Sequence, residues 1–68
     1  MYKIYCDGAS RSNPGEASIG VSVTKEGNEI EFIAKKIGIA TNNVAEYKSL
    51  RAALIYCLEN KITDACIF

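Results

Sequence analysis

Apolar positions change their period once along the chain, near residue 41, and the change separates a β-rich stretch from a helical one. Tyr2-Lys3-Ile4-Tyr5-Cys6-Asp7 is rich in β-formers and is followed by Gly8, which predicts a short strand with Asp7 at its end, on a rim. Ala9 to Gly15 reads as loop, because Asn13-Pro14-Gly15 pairs a residue of fixed φ with one that accepts φ > 0. Ser18 to Thr24 alternates, with Ile19, Val21 and Val23 on one face, as in a half-buried strand. Glu26-Gly27-Asn28 supplies a tight turn, and Glu29 to Lys36 resumes with Ile30, Phe32 and Ala34 alternating against Glu29, Glu31 and Ile33. An antiparallel three-strand meander follows.

From Thr41 the spacing becomes three and four: Tyr47, Leu50, Leu54 and Leu58 recur with alanines between them, predicting a helix of about four turns. On that periodicity the leucines form the core stripe, and Leu54→Ala is expected to cost roughly 2–5 kcal/mol. Thr41 or Asn43 can cap the helix start, and Asn60 with Lys61 fits its end. Ile55, Tyr56 and Cys57 widen the apolar surface beyond one stripe, so the helix should be covered on more than one side. Thr63 to Phe68 reads as a further strand, reached through a helix and hence parallel to the first. The succession β-β-β-α-β places the chain in the α/β class as a single domain of 68 residues, with no repeat or linker.

Composition narrows the chemistry. A hydrophobic fraction of 49% against 24% charged suits a globular chain, and eight basic residues balance eight acidic ones, so no general basic field attracts nucleic acid. The absence of histidine removes a Ser-His-Asp triad and His-ligated zinc. Cys6, Cys57 and Cys66 are odd in number and lack C-x-x-C spacing, which indicates a reducing compartment. With no apolar run approaching membrane length and no signal-peptide pattern at the start, a cytoplasmic protein without membrane contact is expected.

Two carboxylates stand out. Asp7 at a strand end and Glu46 at a helix start could reach one rim, where oxygen ligands suit Mg²⁺ and metal-assisted phosphodiester hydrolysis. Each also has a structural alternative: Asp7 could accept hydrogen bonds from the following turn amides, and Glu46 could complete a capping box with Asn43.

Tyr5 to Gly15, then Ile19-Gly20-Val21, then Ala40-Thr41-Asn42-Asn43-Val44-Ala45-Glu46 resemble, in order, the motifs of the type 1 ribonuclease H family. The resemblance implies a ribonuclease H-like mixed sheet, with residues 1–68 forming about the N-terminal half of the domain. It implies a divalent-metal-dependent endonuclease that hydrolyses the RNA strand of RNA/DNA hybrids. Asp7 and Glu46 match catalytic positions; Asp7, Gly8 and Glu46 match the metal-holding ones, with Mg²⁺ expected and Mn²⁺ as its substitute. Gly8, Ala9, Ser10, Asn13 and Asn43 match the segment touching the RNA strand, and Asn42 a position nearer the DNA strand. Uncharged amides and backbone groups can read the 2′-hydroxyl without a basic surface.

The sequence departs from the family at Ser12, where glycine is usual, and over Glu16 to Ser18, where Pro and Gly are common. The family's third and fourth carboxylates lie beyond Phe68. If the chain ends there, pairing with another copy is expected, which leaves a non-catalytic self-associating module as the alternative to an enzyme. An integrase or transposase core is a further relative, disfavoured by the Thr41 to Glu46 segment. Cys6 and Cys66 fall on strands that are neighbours in the family's sheet, so a disulfide stands as an option beside reduced thiols.

Overall fold

The computed structural model describes all 68 residues as β1 (Tyr2–Ser10), β2 (Gly15–Lys25), β3 (Asn28–Ala40), α1 (Asn42–Glu59) and β4 (Ala65–Ile67). The strands make one sheet in the order β3-β2-β1-β4, in which β1 and β4 run parallel and the other neighbours antiparallel. This is the expected succession, with β1, β2 and β3 longer than expected and β4 shorter. β1 continues three residues past Asp7, because Gly8, Ala9 and Ser10 extend the ladder opposite Ile19, Ser18 and Ala17. Gly8 is therefore not a strand stop, and Asp7 lies within the strand.

The β2–β3 connection is the predicted tight turn. Glu26 (φ 52°) and Gly27 (φ 82°) both take the left-handed conformation between the paired Lys25 and Asn28, the pattern of a type I′ hairpin, whose twist matches the strands. Register shifts at Ala17/Ser18 and Val23/Thr24 break the simple alternation of β3. Ile33, paired with buried Val21, and Ile37 are half-buried against the core, whereas Ile30 and Phe32 are exposed.

Ile4, Val21, Val23 and Ala53 form one buried cluster, and Ala17, Ala40 and Ala45 a second nearer the start of α1. Helix orientation corrects the leucine-stripe expectation. Ala45, Ser49 and Ala53, spaced by four residues, are the buried positions of α1. Tyr47, Leu54 and Leu58 lie on the opposite side and Leu50 on the flank, and all four are exposed, Leu58 by 78%. Close packing explains the choice: small side chains let the helix axis approach the sheet, which a leucine row would hold off. Leu54 is 48% exposed, so Leu54→Ala is now expected to cost only about 1 kcal/mol, half the value of a fully buried leucine, in thermal unfolding.

All three cysteines are free. Cys66 pairs in register with Lys3, its thiol 3.8 Å from the Met1 sulfur, whereas the Cys6 thiol donates to the Phe68 carbonyl at 3.2 Å. Three residues of register separate them, so no Cys6–Cys66 disulfide forms. Burial pushes the Cys57 thiol pKa up. No helix is long and apolar enough to cross a membrane.

Candidate active site

Gly8 sets the geometry of the site. Its backbone, fully packed in β1, lies so close to α1 that an added Cβ would overlap the Ala45 carbonyl and stand 2.7 Å from the Glu46 amide nitrogen. Only glycine permits this approach, which sets the start of α1, with Glu46, against the end of β1, with Asp7. The two carboxylates line one open cleft of about 350 Å³, together with Ser49, Leu50 and the end of β4 at Ile67 and Phe68. The Phe68 ring in turn stacks on Tyr5, with centroids 5.1 Å apart.

Neither structural alternative for the carboxylates is found. Thr41 is the N-cap, its hydroxyl accepting from the Val44 amide at 3.2 Å, so the capping-box reading with Asn43 as cap does not hold. Counted from Thr41, Glu46 falls beyond the first turn and caps nothing. The Ser10 amide donates to Asn42 Oδ1, and the Arg11 amide to the Glu16 carbonyl, so the turn amides have partners other than Asp7. Neither the Asp7 nor the Glu46 carboxylate makes a hydrogen bond or ion pair within the chain.

The β1–β2 loop is tied to the helix start. Asn42 Oδ1 accepts from the Ser10 amide at 2.9 Å and the Ser10 hydroxyl at 3.0 Å, while the Asn42 amide donates to Asn13 Oδ1 at 3.1 Å. Backbone N–H groups can only donate, so both side-chain amides have their orientation fixed by this network. Their NH₂ groups make no hydrogen bond within the chain and remain available as donors. Ala9 and Asn43 are exposed, and Asn43 is outside the network. Asn42→Ala should cost about 1–2 kcal/mol and speed hydrogen exchange at the Ser10 amide roughly tenfold, because a backbone donor loses its partner.

Sequence reasoning missed Ser49 and the Ser10–Asn42 clamp. Ser49 is buried in the helix face, its hydroxyl donating to the Glu46 carbonyl at 2.7 Å, and it lines the same cleft as Asp7 and Glu46. Its four-residue spacing from Ala45 and Ala53 was the available signal. The clamp joins residues 32 positions apart and left no local pattern.

Carboxylate oxygens are the donor type that a hard divalent cation takes, and Asp7 with Glu46 fits part of such a site. No group of three or more His, Cys, Asp or Glu side chains converges in the chain.

A mixed sheet in the order β3-β2-β1-β4, crossed by one helix whose start faces Gly8 near the end of β1, defines an α/β domain of ribonuclease H-like topology. The ribonuclease H family model matches residues 1–67, and the chain belongs to that family. It is 53% identical over 51 residues to a ribonuclease HI of Halobacterium salinarum, covering 74% of this chain and 26% of that protein. It is 41% identical over 66 residues to a bifunctional protein of Mycobacterium tuberculosis, covering 94% of this chain and 18% of the relative. Among solved structures, the ribonuclease H1 of Halobacterium salinarum superimposes with a TM-score of 0.89 at 39% identity, over 97% of this chain and 51% of that one. A ribonuclease H1 designated LC11, crystallised with an RNA/DNA hybrid, superimposes with a TM-score of 0.82 at 43% identity, over 98% and 51%. The chain thus spans about half the length of the solved relatives and about a quarter or less of the curated ones.

Proposed function

We propose that this chain supplies one part of a ribonuclease H active site, in which Asp7 and Glu46 hold a divalent cation for hydrolysis of the RNA strand of an RNA/DNA hybrid. The observation that carries the reading is the pair of carboxylates, free of any partner in the chain and lining one cleft beside Gly8. Carboxylate oxygens without a protein partner are the donors that a hard divalent cation takes. Mg²⁺, or Mn²⁺ in its place, would supply an activated water and charge stabilisation at the scissile phosphate.

The residues of the chain do the positioning. Gly8 fixes the distance between β1 and α1, and in this reading its backbone is the third metal-holding position. Ser10 and Asn42 hold the loop against the helix, leaving the Asn13 and Asn42 NH₂ groups to donate to acceptors on the hybrid, with Asn43 and the Ala9 backbone alongside. Donors of this kind can read a 2′-hydroxyl, which accepts as well as donates. The relative crystallised with an RNA/DNA hybrid supports that substrate class. The compartment is the reducing cytoplasm, in keeping with three free cysteines.

Incubating the pure chain with an end-labelled RNA/DNA hybrid and either cation tests the proposal. Metal-dependent cutting of the RNA strand is expected; a folded chain that neither cuts nor binds the hybrid contradicts it. A second reading, a non-catalytic module that binds another copy or a partner, draws on the exposed Tyr47, Leu50, Leu54 and Leu58 face. Under it, sedimentation at rising concentration shows a growing assembly; a constant monomer contradicts it.

A further inference from the structure

The flank of α1 away from the carboxylate cleft forms a second groove, between the helix and β3. Ile33 and Ile37 of β3 and Ile55 of α1 make an apolar floor, reaching down to the buried Ile19. Lys35, Lys48 and Arg51 stand at its sides. The groove encloses about 520 Å³. The chain's two ion pairs are Met1 with Glu26 and Arg11 with Glu16, so none of these three cations is neutralised within the chain. Glu59 at one end is the single carboxylate lining the groove.

We propose that this groove docks an acidic amphipathic peptide segment of a partner protein, with aliphatic or aromatic side chains on the isoleucine floor and carboxylates against Lys35, Lys48 and Arg51. Both halves of the surface are needed for this assignment. In a chain of zero net charge, three unpaired cations around one groove make a local positive field that favours an acidic occupant. An isoleucine floor offers apolar anchoring, which side chains of a peptide can use and a phosphate backbone cannot. The groove also lies on the β2–β3 side of the sheet, with β1 between it and β4, whereas the carboxylate cleft is bounded by β4. Docking here leaves Asp7 and Glu46 uncovered, and the inference does not rest on the hydrolytic reading.

The test is fluorescence anisotropy of a labelled eight-residue peptide, with a Leu-Phe-Leu core flanked by aspartate and glutamate, titrated with the chain. Binding is expected, weakening as salt rises and at least tenfold weaker for the double variant Lys48→Glu, Arg51→Glu. Both positions are exposed, so the variant keeps the fold, which circular dichroism verifies. Ile55→Asp is expected to weaken binding to a similar degree, and Arg11→Glu, away from the groove, to leave it unchanged. Absence of peptide binding, or binding indifferent to the Lys48 and Arg51 reversal, overturns the proposal. So does the finding that a single-stranded oligonucleotide binds and the same variants abolish that binding while the peptide does not compete, because the groove is then a nucleic-acid path.

Discussion

Gly8→Ala is expected to destabilise the chain by about 3 kcal/mol, the upper end of what an added methyl in a tightly packed place costs. The reason is the backbone contact: the new Cβ meets the Ala45 carbonyl, which cannot rotate aside as a side chain can. A domain of this size has a total stability of roughly 3–10 kcal/mol, so the loss removes a large share of it. Relief requires α1 to move off β1, which separates Glu46 from Asp7. Gly20→Ala is the matched control. A Cβ at Gly20 meets nothing within 4 Å, and the loss of unfolded-state freedom should stabilise by about 0.4–1 kcal/mol. Opposite shifts in melting temperature for the two variants are expected; equal shifts would show that the helix does not approach β1 through Gly8.

Asp7→Asn is expected to reduce metal-dependent cleavage of the hybrid roughly 10²–10³-fold, equivalent to about 3–4 kcal/mol of lost transition-state stabilisation. Glu46→Gln should fall in the same range, and the double variant should be little worse than either single one if both act on one cation. Neither carboxylate has a partner in the chain, so melting temperatures should be unchanged or slightly raised by removing like charge from one cleft. Cleavage that persists in Asp7→Asn removes Asp7 from the chemistry. A fall in stability parallel to the fall in rate would assign it a structural role.

The order of elements was legible in the sequence because strand alternation and helical spacing are local properties; the inward face of β3 was not, because register shifts move it to Ile33 and Ile37. Nor was helix orientation. Leucine carries the larger hydrophobic weight, so Leu50, Leu54 and Leu58 drew the core assignment, yet the approach to the sheet is governed by volume, which selects Ala45, Ser49 and Ala53. Gly8, a common strand breaker, is here held inside β1 by pairing opposite Ile19, and the strand runs on to Ser10. The carboxylates were legible because each sits in a distinctive motif, but their relation to one another was not, since it depends on the close approach of Gly8 to Ala45. Thr41 and Asn43 are both good caps, and only backbone geometry distinguishes them: Thr41 is extended (φ −82°, ψ 165°) before the first helical residue, Asn42.

The central claim is that Asp7 and Glu46 act together on one cation, and Mn²⁺ titration of the ¹⁵N-labelled chain followed by NMR tests it without requiring turnover. Paramagnetic broadening is expected to begin at the amides of Asp7, Gly8 and Glu46, and to disappear in both Asp7→Asn and Glu46→Gln. Broadening that is diffuse, or centred elsewhere and retained in the variants, would contradict the account.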